Sequence, residues 1–283
     1  MPYALKNRSL LTLDELSARD VELLLELARS LKRDQSEGLE RQRLRGLHIA
    51  MLTQADAPPA DDPVEAAATE QGAMVVHIGP RDAHRSAAAG DGQELARLLG
   101  RLYDAIEVRG MVQPRLREFA RHCSVPVYRN FSHATHPARI VADLMTMQEI
   151  AAKPLARIAL AWLGDPRGEQ GTALVQGALL MGLDLRIAAP RDCWPWGARL
   201  ERLQRMAQAH GARLSWHEST LPALAGSDFR YGEAGPPPPP PQSAGSEPVL
   251  QAVKVVEGVD TLQRRRRENR VHTIKAMLVA TLA

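Results

Sequence analysis

Few residues in this chain demand chemistry by type and spacing alone. Gly164-Asp165-Pro166-Arg167-Gly168 lies after a strand-like run and before a helix-like one, where backbone amides commonly meet an anion. It lacks both the glycine pattern of a dinucleotide loop and the Lys-Ser/Thr of a P-loop, so it points only weakly to a nucleotide. His133 and His136 fall around the start of a predicted helix, where one could act as general acid, base or hydrogen-bond donor. A lone loop histidine is more often simply solvated. Arg109 follows a strand, the place where open α/β sheets present ligands, and reads as either structural or anion-binding. Arg264–Arg267 set consecutive positive charges at the start of the last predicted helix, against its dipole; the run reads as a solvated face or as an anion site. No Ser/His/Asp order and no metal-ligand cluster stands out.

The elements that must carry these residues alternate. A capping-box pattern, Thr12-Leu13-Asp14-Glu15, opens an amphipathic helix with Leu16, Leu23, Leu24, Leu27, Ala28 and Leu31 at helical spacing. Strands are predicted at His48–Thr53, Met74–Gly79, Ala105–Arg109 and Val125–Tyr128, with helices Pro63–Gly72, Gly92–Leu102 and Gln113–His122 between them. A second series has strands at Arg157–Leu163, Asp184–Ala189, Arg213–Trp216 and Asp228–Tyr231, and helices Gly171–Gly182 and Trp196–Gly211. Strand–helix alternation with short connections is the signature of a covered parallel sheet. It occurs twice, split by a helix near Pro137–Ala152 that ends before Pro154. Six consecutive prolines, Pro236–Pro241, then break the pattern, and read as an exposed polyproline-II segment or linker. Val249–Val256 suggests one more strand, and Thr261–Leu282 the final helix.

Composition narrows the function classes. The 283 residues carry 36 Lys+Arg against 33 Asp+Glu, too even a balance to argue for nucleic acid. No apolar run reaches the roughly 18 residues of a membrane span. Cys123 and Cys193 form no disulfide or metal pattern, and the start of the chain lacks an apolar leader core. A reduced, cytoplasmic, soluble protein is expected, without cofactor, metal, nucleic-acid or membrane partner.

Several strings together resemble the ornithine carbamoyltransferase family of transcarbamoylases. They are Leu98-Leu99-Gly100-Arg101-Leu102-Tyr103-Asp104-Ala105-Ile106-Glu107-Val108-Arg109-Gly110, then His136-Pro137 with Ile140-Val141-Ala142-Asp143-Leu144-Met145-Thr146-Met147-Gln148-Glu149. Gly164-Asp165-x-Arg167, Ala189-Pro190-x-x-Cys193-Trp194-Pro195 and Glu268-Asn269-Arg270-Val271-His272-Thr273-Ile274-Lys275-Ala276 follow in the family's order. The resemblance implies an α/β protein with two doubly wound parallel-sheet domains of transcarbamoylase type. Residues 1–136 would form the carbamoyl-phosphate-type domain, with helix 261–283 packing back on it. Residues 137–153 would be the linking helix. Residues 154–260, with a Pro-rich loop at 235–248, would form the amino-acid-binding-type domain. It also implies a trimer, and transfer of a carbamoyl group to the δ-amine of ornithine in arginine metabolism.

The same resemblance exposes losses. The family's phosphate loop, Ser-Thr-Arg-Thr-Arg, is matched here by Ala57, Pro58, Pro59, Ala60 and Asp61. The prolines remove two backbone donors, and Asp61 with Asp62 sets negative charge where a phosphate would sit. The Lys-Glu-Ser loop of the neighbouring subunit is replaced by Ala89-Gly90-Asp91. On the amino-acid side, Gly168 and Glu169 stand for Asn-Asn, and Glu233 with the proline run stands for Asp-x-x-x-Ser-Met-Gly. The His-Cys-Leu-Pro motif is absent. Arg109, His136 and Arg270 remain, and Arg139 replaces a glutamine; these four are the residual anion-binding candidates. The first expectation is an ornithine carbamoyltransferase-like protein inactive in the standard reaction, a pseudoenzyme. It would act as a binding, regulatory or assembly subunit, as a homotrimer or mixed with an active carbamoyltransferase. The alternative is an enzyme of altered substrate that passes a carbamoyl or related group to another amine or amino acid, so that a small anion or amino acid is its ligand.

Overall fold

Short apolar runs bounded by turn residues form the strands of this computed structural model, which describes residues 4–53, 62–79, 92–133, 135–232, 250–253 and 259–283. The chain divides into two units: Met1–Val141 with Asn269–Ala283, and Ala142–Glu268. The division falls inside two helices, α5 (Pro137–Ala151) and α9 (Val259–Leu282).

The first unit is built on β1 (His48–Leu52), β2 (Met74–Ile78), β3 (Ala105–Val108) and β4 (Val127–Arg129), all parallel in the order β2-β1-β3-β4. β3 is buried along its whole length, as an inner strand covered on both faces should be. Its helices are α1 (Ala18–Ser36), α2 (Pro63–Glu70), α3 (Gly92–Leu102) and α4 (Gln113–His122). Leu95, Leu99, Leu116 and Phe119 from α3 and α4 pack with Leu52, Ile106, Val108 and Val127 of the sheet. The register sets Leu52 opposite both Ile78 and Val108, so Arg109 leaves the sheet at its carboxyl end, with its amide on Leu52 O at 2.8 Å.

The long first helix begins five residues later than the Thr12 signal suggests. Leu13–Glu15 form only a 3-10 turn, because Leu16 is extended (φ −109°, ψ 134°). A second capping box takes over: Ser17 Oγ accepts the Asp20 amide at 3.2 Å, while Asp20 Oδ2 accepts the Ser17 amide at 2.9 Å.

The end of the chain is fixed to this unit by charge as well as by apolar packing. Ile274, Ala276, Met277, Leu278, Val279 and Ala280 are fully buried. Lys275 is buried too, and its ammonium meets Glu40 Oε1 and Oε2 at 2.7 and 3.0 Å and also Glu70 Oε2. Three donors meet three carboxylate oxygens, which is what lets a lysine leave water.

The second unit has β5 (Ala159–Leu163), β6 (Asp184–Ala188), β7 (Arg213–His217), β8 (Phe229–Tyr231) and β9 (Leu250–Ala252) in the order β7-β6-β5-β8-β9. The sheet is parallel except for β9, which runs antiparallel at the edge. Helices α6 (Glu169–Leu180), α7 (Ala198–Ala209) and the short α8 (Thr220–Leu224) connect the strands. α8 and the 3-10 turns at Leu155–Arg157 and Arg191–Cys193 lack sequence periods long enough to announce them. Arg157 therefore precedes its strand instead of starting it. Gly232 (φ +93°) admits no side chain, since a Cβ there would lie 2.3 Å from Leu163 O.

Two substitutions test these locks. Lys275→Met should lower unfolding stability by about 3 kcal/mol by stranding the Glu40 charge, as read by urea denaturation. Gly232→Ala should cost at least ~2 kcal/mol through left-handed backbone and backbone overlap together. An unchanged urea midpoint in either variant would remove the corresponding lock from the account.

Candidate anion site at the carboxyl end of β3

Arg109 is buried, 8% exposed, at the turn that follows β3. A guanidinium stays charged at any working pH, so burial obliges the fold to supply carboxylate. Glu107, two residues earlier on the same face of β3, supplies one: its Oε2 accepts Arg109 Nε at 2.8 Å and lies 2.8 Å from Nη2. Glu107 Oε1 accepts the Phe131 amide at 2.9 Å. Asp62 supplies the second carboxylate, with Oδ2 against Arg109 Nη1. Asp62 is also the N-cap of α2, where Oδ1 accepts the Val64 amide at 3.0 Å and Pro63 takes the first helical position. Helix start, strand end and guanidinium thus share one buried ion network.

Burial sets the protonation pattern. Desolvation raises the pKa of Glu107 to about 7 against the pull of Arg109 and the Phe131 amide. Arg109 is held further above its usual value, its burial outweighed by the hydrogen bond and charge of Asp62 and by Glu107.

His136 is fully buried just before α5. Its ring packs on Phe131, centroids 4.3 Å apart, and Nδ1 accepts the Ala138 amide at 3.0 Å. Burial first, then the charge of Arg270, pushes its pKa down to about 3, so the imidazole is neutral with its proton on Nε2. Arg270 on α9 donates from Nη2 to Phe131 O at 3.1 Å. Arg139 lies half-buried in the first turn of α5. Three of the four candidates therefore meet at one turn: Arg109 through Glu107 on the Phe131 amide, Arg270 on its carbonyl, His136 on its ring.

Arg129, at the end of β4, was not singled out by sequence. Its Nη1 donates to Thr135 Oγ1 at 3.0 Å, and Nη2 lies 3.0 Å from His133 Nε2. Its position at a strand's carboxyl end was the available signal.

In the second unit the Gly-Asp turn closes on itself. Arg167 forks onto Asp165, Nε to Oδ1 at 2.9 Å and Nη2 to Oδ2 at 2.8 Å, and Nη1 donates to Asp192 O at 3.1 Å. Gly168 caps α6 and Glu169 begins it, exposed. Within the arginine run, Arg266 is committed inside the unit, with Nε on Asp143 Oδ1 at 2.6 Å and Nη2 on Tyr231 Oη at 3.1 Å. Arg264 and Arg267 are exposed. Ala57, Pro58, Pro59, Ala60, Asp61, Ala89–Asp91, Glu233 and the proline run lie outside the described residues. Among the described residues no group of three or more His, Cys, Asp or Glu could hold a metal ion, and no helix is long and apolar enough to cross a membrane.

Comparison with known proteins places this geometry. Residues 8–149 match the family model of the aspartate/ornithine carbamoyltransferase carbamoyl-P binding domain. The chain is 38% identical over 232 residues to the catabolic ornithine carbamoyltransferase of Pseudomonas putida, covering 81% of this chain and 68% of the relative. The ornithine carbamoyltransferase of Actinobacillus pleuropneumoniae is 37% identical over the same length and shares. The chain belongs to the aspartate/ornithine carbamoyltransferase family. The fold agrees: ornithine carbamoyltransferase from Pyrococcus furiosus superposes with a TM-score of 0.77 at 21% identity over 98% of both chains. The Gloeobacter violaceus ornithine carbamoyltransferase gives a TM-score of 0.72 at 24% identity over 100% of each. The α/β architecture with two parallel-sheet units is thus that of the carbamoyltransferases, and the Arg109 network lies within the stretch that matches the carbamoyl-P binding domain.

Glu107 gives this carbamoyltransferase-family fold a pH signature. Its folded pKa of about 7 lies above its ordinary value of 4.5, so its contribution to stability is complete below 4.5 and lost as pH rises through 7. Glu107→Gln should flatten that slope of melting temperature between pH 4.5 and 7. A slope unchanged in the variant would mean that Glu107 is ionised throughout.

Proposed function

We propose that this carbamoyltransferase-family chain does not carry out the ornithine reaction and works as a binding, regulatory or assembly subunit. The observation that carries the reading is the state of Arg109: its guanidinium is met by Asp62 and Glu107 of the same chain. Carbamoyl transfer needs cationic and backbone donors free to hold a phosphate and polarise a carbonyl, and such donors act as a unit. The sequence supports the same conclusion at Ala57–Asp61, where hydroxyls and guanidinium give way to Pro58, Pro59 and Asp61. Gly168 and Glu169 remove amides from the amino-acid side. In this reading the unit with Arg109 is the carbamoyl-phosphate-type domain and the unit with α6 the amino-acid-type domain. The subunit assembles as a trimer, alone or with an active relative, in the cytoplasm.

The convergence of His136 and Arg270 on the Phe131 turn favours a second reading, an enzyme of altered substrate that uses a neutral imidazole donor and one guanidinium. Such a ligand would be smaller or less charged than carbamoyl phosphate.

Full-length protein assayed with carbamoyl phosphate and ornithine separates these from the ordinary activity. Citrulline formation should fall at least about a thousandfold below an active relative run in parallel. Formation at comparable rates would overturn the proposal.

A further inference from the structure

We infer that Asp62 is a tethered ligand: its carboxylate occupies the oxyanion position between Arg109 and the first turn of α2 and keeps a latent small-oxyanion site shut. This deepens the reading above, on which it rests, by naming the group responsible. The donors are already arranged around an anion, and that anion belongs to the chain. Oδ1 accepts the Val64 amide at 3.0 Å and Oδ2 is ion-paired with Arg109 Nη1, so one carboxylate stands between a helix amide and a guanidinium. A phosphate or sulfate would use the same pair of donors at the start of a helix.

Glu107 is not the competitor. It is held from β3 by the Phe131 amide and covers the other edge of the guanidinium, Nε and Nη2. Its raised pKa leaves it only partly charged near neutrality, and the other carboxylate at the guanidinium is Asp62. Asp62 is fixed by the helix it caps and has no side-chain exposure. An anion held in place loses no translational freedom on pairing, so it outcompetes a free anion at millimolar concentration.

Removing the carboxylate while keeping the cap isolates this effect. Asp62→Ser retains an N-cap oxygen and leaves Arg109 Nη1 open. Thermal-shift titration of the full chain with inorganic phosphate, at ionic strength held constant with KCl, should show a saturable rise in melting temperature. Affinity in Asp62→Ser should be at least tenfold tighter than in the unmodified protein, and the gain should vanish in Asp62→Ser/Arg109→Gln. Should Asp62→Ser fail to give a cooperative melt, Asp62→Asn serves instead, since it is near-isosteric and uncharged. A folded Asp62 variant with no gain, or a gain that persists without Arg109, overturns the inference. A folded Asp62 variant that gains no phosphate affinity, while the unmodified protein still forms no citrulline, would overturn this inference and leave the proposed function standing; citrulline formed by the unmodified protein would overturn the proposed function and, with it, the closure of the site.

Discussion

A guanidinium that is taken out of water must be given an anion, and most of what distinguishes this molecule follows from which anion Arg109 is given. The cost of an uncompensated buried charge is several kcal/mol, larger than any local propensity in its neighbourhood. The chain meets it twice, with Glu107 from the strand and Asp62 from the helix start. The guanidinium thereby becomes a clamp between β3 and α2. The features that would make an arginine a ligand group, its burial and its place after a strand, here make it an internal tie.

The surroundings of Arg109 are drawn together at one turn. Phe131 gives its amide to Glu107, its carbonyl to Arg270 and its ring to His136, so a single turn couples β3, α9 and the start of α5. Lys275, on the same helix as Arg270, is fixed by Glu40 and Glu70. Buried charge thus ties the strand end, the start of α2 and the last helix into the first unit.

Much of the architecture could be read from residues alone, because strand–helix alternation with apolar inner strands is a long-range pattern that no single residue can blur. β1, β2, α3 and α4 lie within a residue or two of their expected bounds. The misses have local causes. Two capping boxes in succession, at Thr12 and at Ser17, compete for one helix start, and tertiary packing favours the second. α8 is five residues long, too short to show a period. At the site, resemblance points to Arg109, His136 and Arg270, and to Asp62 as negative charge where a phosphate would sit. The cap on α2 is a local contact, but the pairing of Asp62 with Arg109 could not be read, since it depends on strand register and on the angle at which α2 leaves the sheet.

On the proposed reading, an internal carboxylate takes the place of an external phosphate. Isothermal titration calorimetry of the full chain with carbamoyl phosphate tests it most directly. Only heats of dilution are expected up to millimolar ligand at neutral pH. A saturable isotherm of one site per chain would contradict it.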